Sequence, residues 1–156
     1  MYEEIITEAS KKYSVDPALI KAVIMTESSW DPQAYRYEPR IKDTSYGLMQ
    51  VLLKTARGIA GNAKITAGQL FQPSLNILIG TKYLSQLKSQ YRNMEDVIAS
   101  YNAGAPYKKG GKYTNQSYVD KVKGWHTFYR TGPYGLPFLL IVGGGAYYFL
   151  RRSNKR

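Results

Sequence analysis

The chain has 156 residues, no cysteine and one histidine, His126, which suits one compact domain and excludes a disulfide framework, a thiolate metal site and a multi-histidine metal site. The formal net charge is +11: Arg151, Arg152, Lys155 and Arg156 crowd the last six residues, and +7 remains on residues 1–133. Such a balance draws polyanions (nucleic acid, anionic lipid or an anionic cell wall) unless it serves solubility alone.

The N-terminal stretch MYEEIITEASKK carries acids early and has no long apolar core, so it does not read as a signal peptide. It predicts a helix over residues 2–12. Asp16-Pro17 reads as an N-cap followed by proline at the first helical position, opening a helix that runs to about Ser28. A third helix is expected from Tyr46 to Gly61, a fitting glycine just past a helix end. A fourth begins near Pro73, where Ile77, Gly80, Leu84, Leu87 and Tyr91 recur at three- and four-residue steps. Asn93 reads as the cap of a fifth. A sixth spans 117–130, with Tyr118, Val122, Trp125 and Tyr129 in one stripe. Residues 104–116, rich in Gly, Lys and Tyr, read as a loop. No alternating strand and no internal repeat stand out.

Residues 134–150 then carry no charge. That run of 17 is at the lower edge of the ~17–25 residues that span a bilayer. Pro137 fits a first helical turn, and Gly143, Gly144 and Gly145 are tolerated by membrane helices. Tyr134, Tyr147 and Tyr148 sit where interfacial rings belong. The expected architecture is mainly α: a helical domain over 1–131, a linker at 132–135, a single C-terminal transmembrane helix at 136–150 and a basic tail at 151–156. The competing reading buries the last segment in the globular domain.

One ionisable group stands out. Leu19, Ile20, Val23 and Ile24 precede Glu27 by eight, seven, four and three residues, so all five share one helical face. Glu27 then points where its helix is buried, and desolvation would hold a proton on it near neutral pH, as a general acid requires. The competing reading frays the helix at Ser28 and turns Glu27 to water. Neither a zinc-protease HExxH pattern nor a phosphate-binding loop occurs, so chemistry without a metal or cofactor, or no chemistry, is expected. The 15 tyrosines suit stacking on sugars or bases as well as ordinary core and rim positions.

Glu27-Ser28-Ser29-Trp30-Asp31-Pro32 resembles the first motif of the soluble lytic transglycosylase family, related to goose-type lysozyme. Ser45-Tyr46-Gly47-Leu48-Met49-Gln50-Val51 resembles its second, continued by Lys54-Thr55-Ala56. Leu70-Phe71-Gln72-Pro73, Asn76-Ile77, Gly80 and Tyr83-Leu84 follow its structural helix. Ala99-Ser100-Tyr101-Asn102-Ala103-Gly104 resembles the third motif, and Tyr118-Val119 with Val122 the closing helix. The resemblance runs over roughly residues 3–130, in family order and spacing.

It implies a lysozyme-like helical domain acting on the peptidoglycan glycan strand. The bond cut would join N-acetylmuramic acid to N-acetylglucosamine, leaving a 1,6-anhydro end, with Glu27 the sole catalytic acid and base. Ser45, Gly47, Met49, Gln50, Tyr101 and Asn102 are the substrate-binding candidates. Gly47 would let backbone approach a sugar without a Cβ; by resemblance Ser45 bonds near the acid and sugar, and Met49 and Gln50, at the start of the third helix, line the cleft near Glu27; Tyr101 would hydrogen-bond and orient the Glu27 carboxyl, and Asn102 would hold an N-acetyl or hydroxyl group. The plainer readings make Gly47 a helix-start residue, Met49 core, Tyr101 a core cap and Asn102 a turn former. Hydrolysis, as in a muramidase, stays open if Asp31, Glu38 or Asp43 positions water; so does a wall-binding or virion structural role without catalysis. Nucleic-acid binding has no matching motif.

The basic tail would stay cytoplasmic and the domain would face the wall. With no signal peptide to export it, the expectation is a phage protein carried in the virion membrane, with other virion proteins as partners, that opens the wall locally at entry. A bacterial inner-membrane enzyme is the alternative.

Overall fold

The computed structural model describes residues 2–132 and, beyond them, the backbone of 141–142 and 145–146. Helix α1 (Glu3–Tyr13) and helix α2 (Pro17–Ser28) open the chain. The Asp16 side chain accepts from the Ala18 amide, with Pro17 at the first helical position, so α2 starts at the expected cap. Its Leu19, Ile20, Val23 and Ile24 have no solvent exposure. The stripe that carries Glu27 is therefore the buried face.

Residues 35–52 depart from the sequence expectation. Strands β1 (Tyr35–Glu38), β2 (Asp43–Tyr46) and β3 (Val51–Leu52) form an antiparallel sheet in that order, with Arg36 opposite Ser45 and Ser45 opposite Leu52. Their sequences, YRYE and DTSY, give no apolar-polar alternation, because along β1 and β2 only Ser45 is buried. The helix expected from Tyr46 is shorter: α3 runs Leu53–Ala60, and residues 47–50 form a tight turn. Leu52 caps α3 with no side-chain bond of its own; the Asp43 carboxylate on β2 accepts from the Lys54 amide instead.

After the one-turn helix α4 (Ala67–Leu70) comes α5 (Pro73–Gln90), which buries Ile77, Gly80, Leu84 and Leu87 as its spacing required. Tyr91 lies just beyond its end. Helix α6 (Met94–Ala103) is capped by Asn93, which accepts from the Glu95 amide. The expected loop contains a small hairpin, β4 (Lys108–Lys109) with β5 (Lys112–Tyr113), pinned to α6 where the Tyr113 hydroxyl donates to Asp96. Helix α7 (Gln116–Thr131) lies antiparallel along α2 and buries its Val119 and Val122.

The expected membrane helix at 136–150 and the basic tail fall outside the described residues, apart from β6 (Ile141–Val142) and β7 (Gly145–Ala146). These two pairs run antiparallel, Ile141 opposite Ala146 and Val142 opposite Gly145. At those four positions the backbone is extended where a helix was expected, in a glycine-rich stretch of low helix propensity. No helix among the described residues is long and apolar enough to cross a membrane.

Candidate active site

A cleft of about 540 Å³ opens between the β1–β2 hairpin, the start of α3 and the C-terminal end of α6. Glu27 lines it from the last turn of α2, and Ser45, Gln50, Tyr101 and Asn102 line it with Glu27. Five of the seven candidates therefore meet at one place.

Glu27 is bonded from across the domain. The Tyr118 hydroxyl on α7 donates to its carboxyl at 2.6 Å. Burial pushes the Glu27 pKa from an ordinary 4.5 up to about 7. The Tyr118 bond and the nearby Arg36 charge pull it down, while Glu38 adds to the rise. A carboxyl balanced near 7 gives and takes a proton equally well at neutral pH. Burial and the Glu27 charge raise the Tyr118 and Tyr101 hydroxyls well above their ordinary value, so both remain donors.

Tyr101 does not play the part expected for it. Its hydroxyl donates to the Met49 carbonyl at 3.0 Å, and its ring packs 5.3 Å from that of Tyr83, another cleft residue. Orientation of Glu27 falls to Tyr118, which the sequence marked as part of one stripe of the last helix and of the family's closing helix, with no role at the site.

Gly47 and Met49 lie behind the cleft wall. Gly47 sits at φ +71°, and a Cβ there would come within 2.5 Å of Asn76 Nδ2 and the Leu70 carbonyl. Its lack of a side chain serves internal packing rather than approach to a sugar. Met49 has no exposure, and its sulfur occupies the space that a side chain on Gly80 would need. Of the two readings of Met49, the structure takes core. The organiser of this turn is Asn76 on α5, fully buried: its Nδ2 donates to the Tyr46 and Leu70 carbonyls, and its Oδ1 accepts from the Met49 amide.

Gln50 adopts φ +45°, unusual for a side-chain-bearing residue, and its amide holds that shape. Nε2 donates to the Ala34 and Gly47 carbonyls, and Oε1 accepts from Ser45. Ser45 and Gln50 thus tie the hairpin to the turn. Asn102 is exposed at the cleft edge, its Oδ1 accepting from Asn115. Ser28 bonds locally to the Ile24 carbonyl and also donates to the Leu48 carbonyl, fastening the turn to α2.

Of the three acids weighed beside Glu27, only Glu38 lines the main cleft, paired with Arg36 at 2.6 Å. Asp31 is exposed and closes its own turn by accepting from the Gln33 amide; Asp43 is occupied by the Thr44 and Lys54 amides. Trp30 is structural: its Nε1 donates to the Tyr129 hydroxyl, and its ring stacks on Tyr2. His126 is mostly buried and joins Asp16 at 2.8 Å. Among the described residues no group of three potential metal ligands gathers.

The chain is 36% identical over 117 residues to membrane-bound lytic murein transglycosylase C of Shigella sonnei, covering 67% of this chain and 31% of that protein. It therefore spans about a third of the length of that curated relative. Its fold matches the 70 kDa soluble lytic transglycosylase of Escherichia coli with a TM-score of 0.69 at 24% identity, over 83% of this chain and 24% of that one. An inactive mutant of the lytic transglycosylase Slt from Pseudomonas aeruginosa matches with a TM-score of 0.66 at 22% identity, over 82% of this chain and 24% of that one. The family model for the transglycosylase SLT domain matches residues 4–122, most of the helical domain including Glu27 and Tyr118, and the chain belongs to that family.

Proposed function

We propose that this chain cleaves peptidoglycan glycan strands as a lytic transglycosylase, cutting the β-1,4 bond between N-acetylmuramic acid and N-acetylglucosamine. The observation that carries this reading is Glu27, a carboxyl poised near pH 7 on the cleft and held by Tyr118. Protonated, it gives its proton to the glycosidic oxygen as the C1–O bond to the leaving sugar breaks. As a carboxylate it takes the proton of the muramic acid C6 hydroxyl as that oxygen bonds to C1. The proton returns to Glu27, no water is consumed, and the product ends in a 1,6-anhydro ring. The substrate's N-acetyl group stabilises the cationic centre between the two steps, so one carboxyl serves where ordinary glycosidases use two.

In this reading Asn102 offers its amide nitrogen to a sugar oxygen, and Ser45 and Gln50 keep the cleft wall in shape. Tyr101 and Met49 act together, the hydroxyl of one fixing the backbone of the other. The test is cleavage of purified peptidoglycan, followed as loss of turbidity. Wild type should clear the suspension and Glu27→Gln should be slower by about 10²–10⁴-fold, the usual worth of a general acid. Equal rates would exclude Glu27 from the chemistry.

Glu38 supports a second reading. It is the other carboxylate lining the cleft, and if it positions water the enzyme is a hydrolytic muramidase. The masses of the products separate the two.

We also propose that residues 136–150 hold the domain at a membrane, on the strength of the uncharged run 134–150 that contains them and the basic tail after it. The full chain should float with liposomes and a variant lacking residues 134–156 should not; flotation of both would count against the anchor. In a phage particle the same anchored design would open the wall at entry. Detection of the chain in purified membrane-containing particles supports that setting, and its absence from them opposes it.

A further inference from the structure

Asn115 sits at the N-cap of α7, yet its side chain does not cap the helix. An asparagine there ordinarily accepts a hydrogen bond from an amide of the first turn. Asn115 turns to α6 instead: its Nδ2 donates to the Ala99 carbonyl and to Asn102 Oδ1, both at 3.0 Å. Its own Oδ1 is buried and has no partner among the described residues. A forgone cap and an unsatisfied buried acceptor are two local penalties. What they leave in place is a bond to a residue on the cleft edge.

That bond has a polarity. The two ends of a carboxamide are nearly alike in size, but one donates and the other accepts. The Ala99 carbonyl can only accept, so the end of Asn115 against it is the nitrogen. The same nitrogen reaches Asn102, so the atom it meets there is the oxygen. Asn102 is exposed and lines the cleft, and none of the hydrogen bonds among the described residues uses its Nδ2. With its oxygen held, the nitrogen is the end left for a ligand. An exposed asparagine without such a partner turns easily about its last torsion and offers either end.

We propose that Asn115 is a positioning residue for substrate binding: it holds the Asn102 oxygen, so that this edge of the cleft presents N–H donors and takes acceptor oxygens of the glycan. This rests on the proposed cleavage of peptidoglycan. Asn115 does not line the cleft itself; it acts through Asn102, apart from the proton transfer at Glu27.

The test is a double-mutant cycle on kcat/KM, with the full chain and solubilised glycan strands. Asn115→Ala and Asn102→Ala should each lower kcat/KM by about three- to tenfold, the worth of one hydrogen bond, through KM rather than kcat. The double variant should be no slower than Asn102→Ala, because one residue acts through the other. Asn115→Asp keeps the shape and suits an N-cap, so its melting temperature should stay within a few degrees of wild type. Having no N–H, it should turn the Asn102 oxygen to the cleft and lose at least as much kcat/KM as Asn115→Ala. A merely structural role would multiply the two losses in the double variant and spare Asn115→Asp. The Tyr118 amide bonds the Asn115 carbonyl at 2.9 Å, so a displaced α7 would also disturb Glu27; the alkaline limb of the pH profile should therefore stay in place in Asn115→Ala. Multiplied losses, an Asn102→Ala variant as fast as wild type, wild-type kcat/KM in Asn115→Asp, or a moved alkaline limb would each overturn the inference. Failure of wild type to cleave the strands would overturn the cleavage reading, and this inference with it.

Discussion

The Tyr118 hydroxyl donates to the Glu27 carboxyl at 2.6 Å, joining the first turns of α7 to the last turn of α2 across 91 residues of chain. At the opposite end of the same antiparallel pair, His126 meets Asp16 at 2.8 Å. Apolar packing fills the space between these two clasps. The carboxyl is thus held by a helix pair anchored at both ends, which leaves it little freedom to turn toward solvent.

Removing the Tyr118 hydroxyl should change the pH profile. The bond stabilises the ionised carboxylate and so lowers the Glu27 pKa. Tyr118→Phe should raise that pKa, moving the alkaline limb of kcat/KM upward by about one pH unit, the scale of a hydrogen bond to a charged group. The maximal rate should also fall, as the carboxyl loses its orientation. A profile that keeps its alkaline limb in place would show that Tyr118 does not act on Glu27.

The raised pKa also has a cost in stability. Below pH 4.5 both folded and unfolded chains hold the proton, and the group is neutral in each. As pH rises from 4.5 to 7 the unfolded chain releases its proton first, so stability falls; above 7 the loss is complete, at most about 3 kcal/mol by linkage. Glu27→Gln removes a charge that folding must bury. Its melting temperature should match wild type near pH 4 and exceed it at pH 8, by the equivalent of about 1–3 kcal/mol. Equal melting temperatures at pH 8 would contradict the buried position of the carboxyl.

Asn76 should be the most sensitive polar position behind the cleft. Asn76→Ala leaves the Met49 amide and the Tyr46 and Leu70 carbonyls without their partner in a buried place. Each unsatisfied group costs about 1 kcal/mol or more, so a loss of about 3 kcal/mol is expected from chemical denaturation. Activity should fall as well, because the turn of residues 47–50 also carries Gln50 into the cleft. A loss under 1 kcal/mol would mean that water replaces the amide.

The helical part of this architecture was legible because its signals are local. The Asp16-Pro17 start, the Asn93 cap and the α5 stripe each depend on neighbours within a few residues. So does the inward face that carries Glu27. The hairpin of residues 35–46 was not legible, since it buries almost nothing along β1 and β2 and is held by backbone pairing and by Gln50 reaching back to Ala34. The turn after it was mistaken for the start of a helix: Tyr46, Leu48 and Met49 fit a helical period, while the positive φ values of Gly47 and Gln50 are imposed by Asn76 and by the Gln50 amide itself. Tyr118 was placed on the correct stripe, but which of two tyrosines reaches Glu27 depends on how α6 and α7 sit against α2. No local pattern records that.

The central claim is that one carboxyl, Glu27, carries out glycan cleavage without water. The most direct measurement is the mass of the fragments released from purified peptidoglycan by the full chain and by Glu27→Gln. Fragments one water lighter than hydrolytic products, absent with the variant, are expected. Hydrolytic masses would contradict the lyase mechanism and point to Glu38, and cleavage by the variant would remove Glu27 from the reaction.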